Sequence, residues 1–290
     1  TGEGVLNFNE IAARQLQGVV RLEFPVGVFL LVGQPHMDLV KGLGRQVLQP
    51  LLLAHEQKHG GQRRLDLVLV AVADRHLDLL LANAADGKTT TLLQEDNKYY
   101  IDIHDNLTFL ADQGGFIWTS EQDGFNHIYL YGMDGKMKKQ LTSGQWEVTE
   151  FYGLDEKNKQ VYFQGDMKSP MEREIYSVDL NGGKPKTIKD DNGTNSAAFS
   201  TTFDLFVWTH SGINTPTSYS VNDRSGKLVR MLEDNANVKK LQEEFKTQPV
   251  EFFNFTTSEG VKLNGYEIKP YNFDPTRKYP VFMYLYGGPG

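Results

Sequence analysis

Apolar and polar residues recur along the middle of the chain in one phrase: an apolar strand, a tight turn on glycine, then a second strand. It reads Leu77-Asp78-Leu79-Leu80-Leu81 before Asp86-Gly87, and His127-Ile128-Tyr129-Leu130-Tyr131 before Asp134-Gly135. It returns as Glu174-Ile175-Tyr176-Ser177-Val178 before Asn181-Gly182, and as Ser218-Tyr219-Ser220-Val221 before Ser225-Gly226. Asp-Gly and Asn-Gly supply the positive φ angles of two-residue hairpin turns, so each phrase predicts an antiparallel hairpin. Aromatic and β-branched runs precede three of them: Gly115–Ser120, Gln160–Gln164 and Asp204–Thr209. The units start roughly 45 residues apart, the period of four-stranded propeller blades. About three blades and part of a fourth fit between Leu77 and Leu232, and their aromatics are expected to be blade core.

The pattern changes on both sides. From Glu233 to Lys246, Val238, Leu241 and Phe245 recur at helical spacing behind Asp or Asn as a cap, which predicts one amphipathic linker helix. After Pro249, residues 251–257 and 261–270 read as a hairpin about Ser258-Glu259-Gly260. Val281–Tyr286 is apolar throughout, as in a strand buried on both faces of a parallel sheet. Upstream, residues 27–64 show neither a period of two nor one of 3.6, and no fold is assigned to them.

Composition sharpens the division at the first quarter. The first 80 residues hold no Tyr or Trp but four of the seven His, whereas all 13 Tyr and all three Trp follow Asn97. A total of 30 basic against 37 acidic residues gives a mildly acidic chain without a basic stripe, which argues against nucleic acid as a partner. The absence of cysteine removes disulfides, thiolate metal sites and cysteine nucleophiles. The apolar runs at Val26–Val32 and Leu65–Val72 are too short to cross a bilayer, so no transmembrane segment is expected. No signal peptide is legible at Thr1, and both ends read as cuts.

Two stretches carry possible chemistry. Val281–Tyr286 runs into Gly287-Gly288-Pro289-Gly290, where glycines let backbone approach a substrate and donate to an oxyanion, although a plain turn fits the same letters. His55-Glu56-Gln57-Lys58-His59 satisfies His-Glu-x-x-His, the zinc-peptidase pattern when it lies on a helix, which Leu51–Ala54 could begin. Gln57 and Lys58 stand where zinc-peptidase helices carry apolar residues, and Gly60-Gly61 stops a helix at once, so His55, Glu56 and His59 read as a chance match. No serine lies in Gly-x-Ser-x-Gly.

The linker, the hairpin and Arg277–Gly290 together resemble the start of the hydrolase domain in prolyl-oligopeptidase-family serine peptidases, which place that domain on a propeller. Thr119–Tyr129, Gly144-Gln145-Trp146-Glu147-Val148, and Val221-Asn222-Asp223 leading to Leu232-Glu233-Asp234-Asn235 resemble bacterial dipeptidyl-peptidase IV-like proteins. The resemblance covers about Leu77 to Gly290. It implies a mainly β chain: a partial β-propeller over 77–232, a linker helix over 233–249, and over 250–290 the first strands of an α/β-hydrolase domain. Residues 1–76 stay unassigned and read as not native to the family, through a reading-frame or assembly disruption. A divergent domain is the alternative.

What the resemblance implies for function is equally specific. The family releases N-terminal dipeptides, Xaa-Pro or Xaa-Ala, by acyl transfer to a serine, with no cofactor. Its substrate is a peptide with a free N-terminus, its location periplasmic or cell-envelope, and it allows a homodimer. A tyrosine at the end of the buried strand donates to the oxyanion, and Tyr286 matches it. The family's serine, aspartate and histidine have no counterpart here, so the chain alone is expected to be inactive. No match is found for the acidic pair that grips the substrate amine: Glu243-Glu244 reads as a solvated helix face and Glu121-Gln122-Asp123 as blade-loop surface. His104, His127 and His210 fall in the propeller region, and His127 reads as a structural strand residue. A non-catalytic propeller scaffold is the competing reading.

Overall fold

The computed structural model describes the backbone alone of residues 19–22, 30–33, 51–59, 62–73 and 82. It describes backbone and side chains of 75–81, 89–102, 104–112 and 114–285. The chain divides into two compact units, 1–170 with 174–188, and 171–173 with 189–290.

The first unit is built on three antiparallel four-stranded sheets. Sheet I joins β3 (Leu51–His59), β4 (Gln62–Ala73), β5 (His76–Ala82) and β6 (Thr89–Asp96) in that order. Sheet II joins β7 (Thr108–Phe109), β8 (Phe116–Ser120), β9 (His127–Tyr131) and β10 (Met137–Gln140). Sheet III joins β11 (Val148–Asp155), β12 (Gln160–Gly165), β13 (Glu174–Asp179) and β14 (Lys186–Lys189). A separate two-stranded pair, β1 (Val19–Leu22) with β2 (Leu30–Gly33), lies upstream. The strand pairs predicted at 77, 127, 174 and 218 form, each as the last two strands of its sheet.

Two differences fall upstream. The strand that holds Leu77 is the third of its sheet, because residues 51–73, within the unassigned 1–76, supply β3 and β4. Leu51–Ala54, read as a possible helix, is strand. A run of consecutive Leu and Val carries no alternation to separate the two, and pairing with β4 decides it.

Register explains why β8 is buried on both faces. Phe116 pairs with Tyr131 and Trp118 with Tyr129, so these four rings share one face. They pack with Leu77, Leu79, Leu93 and Ile101 into one core. Ile117 and Ile128 point to the opposite face, where they meet Val148, Val161, Phe163, Tyr176 and Val178 in a second core. Each such fully buried side chain contributes about 1.5–3 kcal/mol relative to exposure. The β9–β10 turn adds a close approach: Gly135 has φ +74°, and a Cβ there would overlap the carbonyl oxygen of Leu92.

The second unit contains sheet IV, formed by β15 (Thr194–Phe199), β16 (Leu205–Gly212), β17 (Thr215–Asp223) and β18 (Leu228–Glu233). Helix α1 (Ala236–Glu244) and the hairpin β19 (Val250–Thr256)–β20 (Lys262–Ile268) follow. The helix is shorter than the predicted linker. Asn235 occupies the N-cap position in the left-handed region (φ 50°) without a side-chain cap bond, and Asp234 Oδ1 accepts from the Ala236 N–H at 2.9 Å instead. Val238, Leu241 and Phe245 are exposed rather than packed.

Val281–Leu285 departs from expectation. It is not strand, and its side chains are 75–84% exposed apart from Phe282 at 92%. An all-apolar strand is held by hydrogen bonds and covers from neighbouring strands, and among the described residues none pairs with it.

Candidate functional site

Within the first unit, a cleft of about 350 Å³ opens where the end of β6 and the connection after it face the β8–β9 turn. The connection from β6 (ending at Asp96) to β7 (starting at Thr108) spans residues 97–107. Glu95, Asp96, Asp102 and Glu121 line the cleft with Tyr100 and His104, and among the described residues no Lys or Arg lines it.

Glu95 ends the apolar part of β6 and reaches across to sheet II, where Trp118 Nε1 donates to its Oε1 at 3.0 Å. Burial raises its carboxyl above the ordinary carboxylate value, more than the hydrogen bonds from Ser120 and Trp118 lower it, and the Glu121 charge adds to the rise. Glu121 is raised by loss of solvent first, then by the carboxylates of Glu147 and Asp102. The sequence placed Glu121 on blade-loop surface; it is exposed at the rim, and it also faces the cleft.

The amides around these carboxylates are committed to holding the walls. Gln94 Nε2 donates to Asp78 Oδ1 at 2.7 Å, Gln122 Nε2 to the Tyr131 hydroxyl at 3.0 Å, and Asn126 Nδ2 to the Val148 carbonyl at 2.7 Å. These bonds use the amide N–H groups, so the cleft is left with oxygen acceptors, carboxylate and amide alike. Such a wall suits N–H donors, above all an ammonium group.

His104 lies over Trp118 with ring centroids 4.2 Å apart. Burial lowers its pKa below the usual imidazole value, outweighing the Thr119 backbone hydrogen bond and the Asp105 and Asp102 charges that raise it. His127 is fully buried in β9, with Nδ1 3.1 Å from Thr142 Oγ1 and Nε2 3.1 Å from the Gly144 carbonyl, which is a structural arrangement. In the second unit, His210 Nε2 contacts the Asn192 carbonyl at 3.0 Å, and Glu243 and Glu244 are exposed on α1.

Tyr286 and Gly287–Gly290 lie outside the described residues. At His55-Glu56-Gln57-Lys58-His59 the backbone is the strand β3, while the side chains lie outside the described residues. Positions four apart on a strand are separated by roughly 13 Å of rise, against about 6 Å on a helix. Two histidines so spaced do not meet at one zinc with bonds of about 2 Å. Among the described residues no cluster of His, Cys, Asp and Glu has metal-site geometry.

Sequence reasoning missed Glu95 and Asp102. The available signal was four acidic residues within Glu95–Asp105 balanced by Lys98 alone, and it gives no hint that they face Glu121 from another sheet.

A family model described as the dipeptidyl peptidase IV (DPP IV) N-terminal region matches residues 62–217, starting upstream of Leu77. A probable dipeptidyl-aminopeptidase B of Arthroderma gypseum is 35% identical over 184 residues, 61% of this chain and 20% of that protein. Dipeptidyl peptidase 4 of Arthroderma otae is 31% identical over 221 residues, 75% of this chain and 26% of the relative. The solved dipeptidyl peptidase 4 of Porphyromonas gingivalis superposes with a TM-score of 0.70 at 34% identity, over 74% of this chain and 31% of that one. The chain thus spans about a fifth to a quarter of the length of the curated relatives it matches.

Proposed function

We propose a function from one premise: the chain belongs to the dipeptidyl peptidase IV N-terminal-region family. It is the propeller section, with the linker and first hydrolase strands, of a serine exopeptidase that releases N-terminal Xaa-Pro or Xaa-Ala dipeptides. The observation that carries this reading is the family match over 62–217 on consecutive four-stranded sheets. The substrate is a peptide with a free N-terminus. The location that fits is the periplasm or cell envelope, a homodimer is consistent with the family, and no helix among the described residues is long and apolar enough to cross a membrane.

In this reading the chemistry is acyl transfer to a serine that the 290 residues do not contain, since none lies in Gly-x-Ser-x-Gly. Tyr286 supplies its hydroxyl to the oxyanion beside a backbone N–H. The carboxylate wall of the cleft offers acceptors to the N–H groups of an incoming peptide. A protein carrying this chain with the family's serine, aspartate and histidine should cleave Gly-Pro and Ala-Pro chromogenic dipeptides and be labelled by a fluorophosphonate. The 290-residue chain should do neither. Labelling of the short chain, or failure of the long one to cleave, removes the reading. A second reading is a propeller that binds without catalysis, and the same pair of assays separates the two.

A further inference from the structure

The strap of residues 104–107 leads into β7 and walls one side of the cleft through His104 and Asn106. One small cluster fastens it to β8. The Asn106 backbone N–H donates to His104 Nδ1 at 3.3 Å, and Asn106 Nδ2 donates to Thr119 Oγ1 at 3.1 Å. His104 Nε2 stands 3.4 Å from the same Thr119 Oγ1, while the imidazole rests on the Trp118 ring at 4.2 Å. Thr119 and Trp118 are fully buried members of β8, so they form a fixed wall and the strap is the part that is held.

This geometry dictates the tautomer. An Nδ1 that accepts from Asn106 carries no proton, so the single ring proton sits on Nε2 and faces Thr119 Oγ1. A second proton has only Nδ1 to go to. It would turn the acceptor into a donor, set two N–H groups against each other, and put a charge on a ring removed from water by Trp118.

We propose that the His104–Asn106–Thr119 clasp is an acid-released latch, which holds strap 104–107 against β8 while His104 is neutral and frees it when the imidazole is protonated. The inference goes beyond the peptidase reading and does not need it.

The charged groups around the ring act in the opposite sense and set the range. A hydrogen bond to the Thr119 backbone on β8, and Asp105 and Asp102 on the same connection, favour the imidazolium, yet burial outweighs them and the closed-state pKa is lowered. From the neighbouring elements, Glu95 on β6 bonds Trp118, and Glu121 follows β8 across the cleft. Both carboxyls are raised, so they lose charge early in acid and their support for an imidazolium fades as it forms. With the closed-state value below 6.5, closure is favoured above pH 6.5. It weakens as pH falls from there toward the closed-state pKa.

Amide hydrogen exchange of the 290-residue chain between pH 7.5 and 5, corrected for intrinsic rates, tests this. The opening equilibrium read at the Asn106 N–H should rise by up to about tenfold per pH unit below 6.5, while amides of β8 stay protected. His104→Gln keeps an acceptor that does not titrate in this range, so its strap should lose the pH dependence. The His104 ring titrated by NMR should give a value below 6.5. Equal opening of the parent at both pH values, the parent's pH dependence in His104→Gln, or a His104 pKa at or above 6.5 would each overturn the latch.

Discussion

Trp118 and Glu95 lie on adjacent sheets, and the indole Nε1 of the first donates to Oε1 of the second at 3.0 Å. The pair ties the hydrophobic core to the acidic cleft. The Trp118 ring fills the core between sheets I and II, while its one polar atom fixes a carboxylate that burial would otherwise disfavour.

That pairing predicts the sign of one pH effect. Burial holds the folded-state pKa of Glu95 above the ordinary carboxyl value of 4.5, so its favourable contribution is complete below that value and is lost as pH rises through the raised one. Glu95→Gln removes the ionisation and keeps an oxygen for the indole. In urea melts at pH 7 and pH 4, the parent should lose stability relative to the variant at the higher pH. A variant that is less stable by the same amount at both would show that Glu95 does not titrate in this way.

The core between sheets II and III should be the more sensitive to volume. Ile117 is fully buried and packs with Ile128, Val161 and Phe163 away from the cleft. Ile117→Ala should cost about 2–5 kcal/mol by chemical denaturation, through lost burial and the cavity left behind. The first unit should unfold at correspondingly lower urea.

At the β9–β10 turn the prediction is conformational. Gly135→Ala places a Cβ at φ +74° and against the Leu92 carbonyl, so it should destabilise by roughly 1–3 kcal/mol although only one methyl is added. Gly124→Ala, with a positive φ but open space around it, is the control and should cost less. Equal losses would assign the whole effect to φ.

These positions also show what the letters disclosed. Asp134-Gly135 and Asn181-Gly182 were legible because a tight turn needs a local conformation that glycine supplies, and strands of alternating or aromatic residues flank them. β3 and β4 were not, since Leu51–Leu53 and Leu65–Val72 are almost uniformly apolar apart from Asp66 and take their state from pairing. The cleft was hidden for another reason. Glu95 on β6 and Glu121 just after β8 are 26 positions apart, and either one alone looks like a solvated surface residue. Val281–Leu285 failed as a strand because an apolar run becomes a buried strand only where neighbours cover it, and its own letters do not supply them.

Those acidic groups carry a prediction on binding. If the cleft receives N–H groups of a peptide in the active protein, Glu121→Gln should raise KM for dipeptide substrates several-fold and leave kcat nearly unchanged, the signature of lost ground-state binding. A fall in kcat at constant KM would move Glu121 out of that role.

The last prediction concerns Tyr286, in a protein that joins this chain to the family's serine, aspartate and histidine. Tyr286→Phe deletes one hydroxyl and keeps the ring, so folding and substrate capture have little reason to change. The oxyanion, by contrast, loses a donor placed where charge develops only in the transition state. Removing one such donor lowers kcat by about a hundredfold or more, roughly 3 kcal/mol, with a much smaller effect on KM. Alanine in place of Tyr286 removes the ring as well and should add a loss of stability that Phe does not show. Turnover of the Phe variant within about threefold of the parent, at equal stability, would make Tyr286 a residue that supports the backbone there and leave oxyanion stabilisation to main-chain N–H groups.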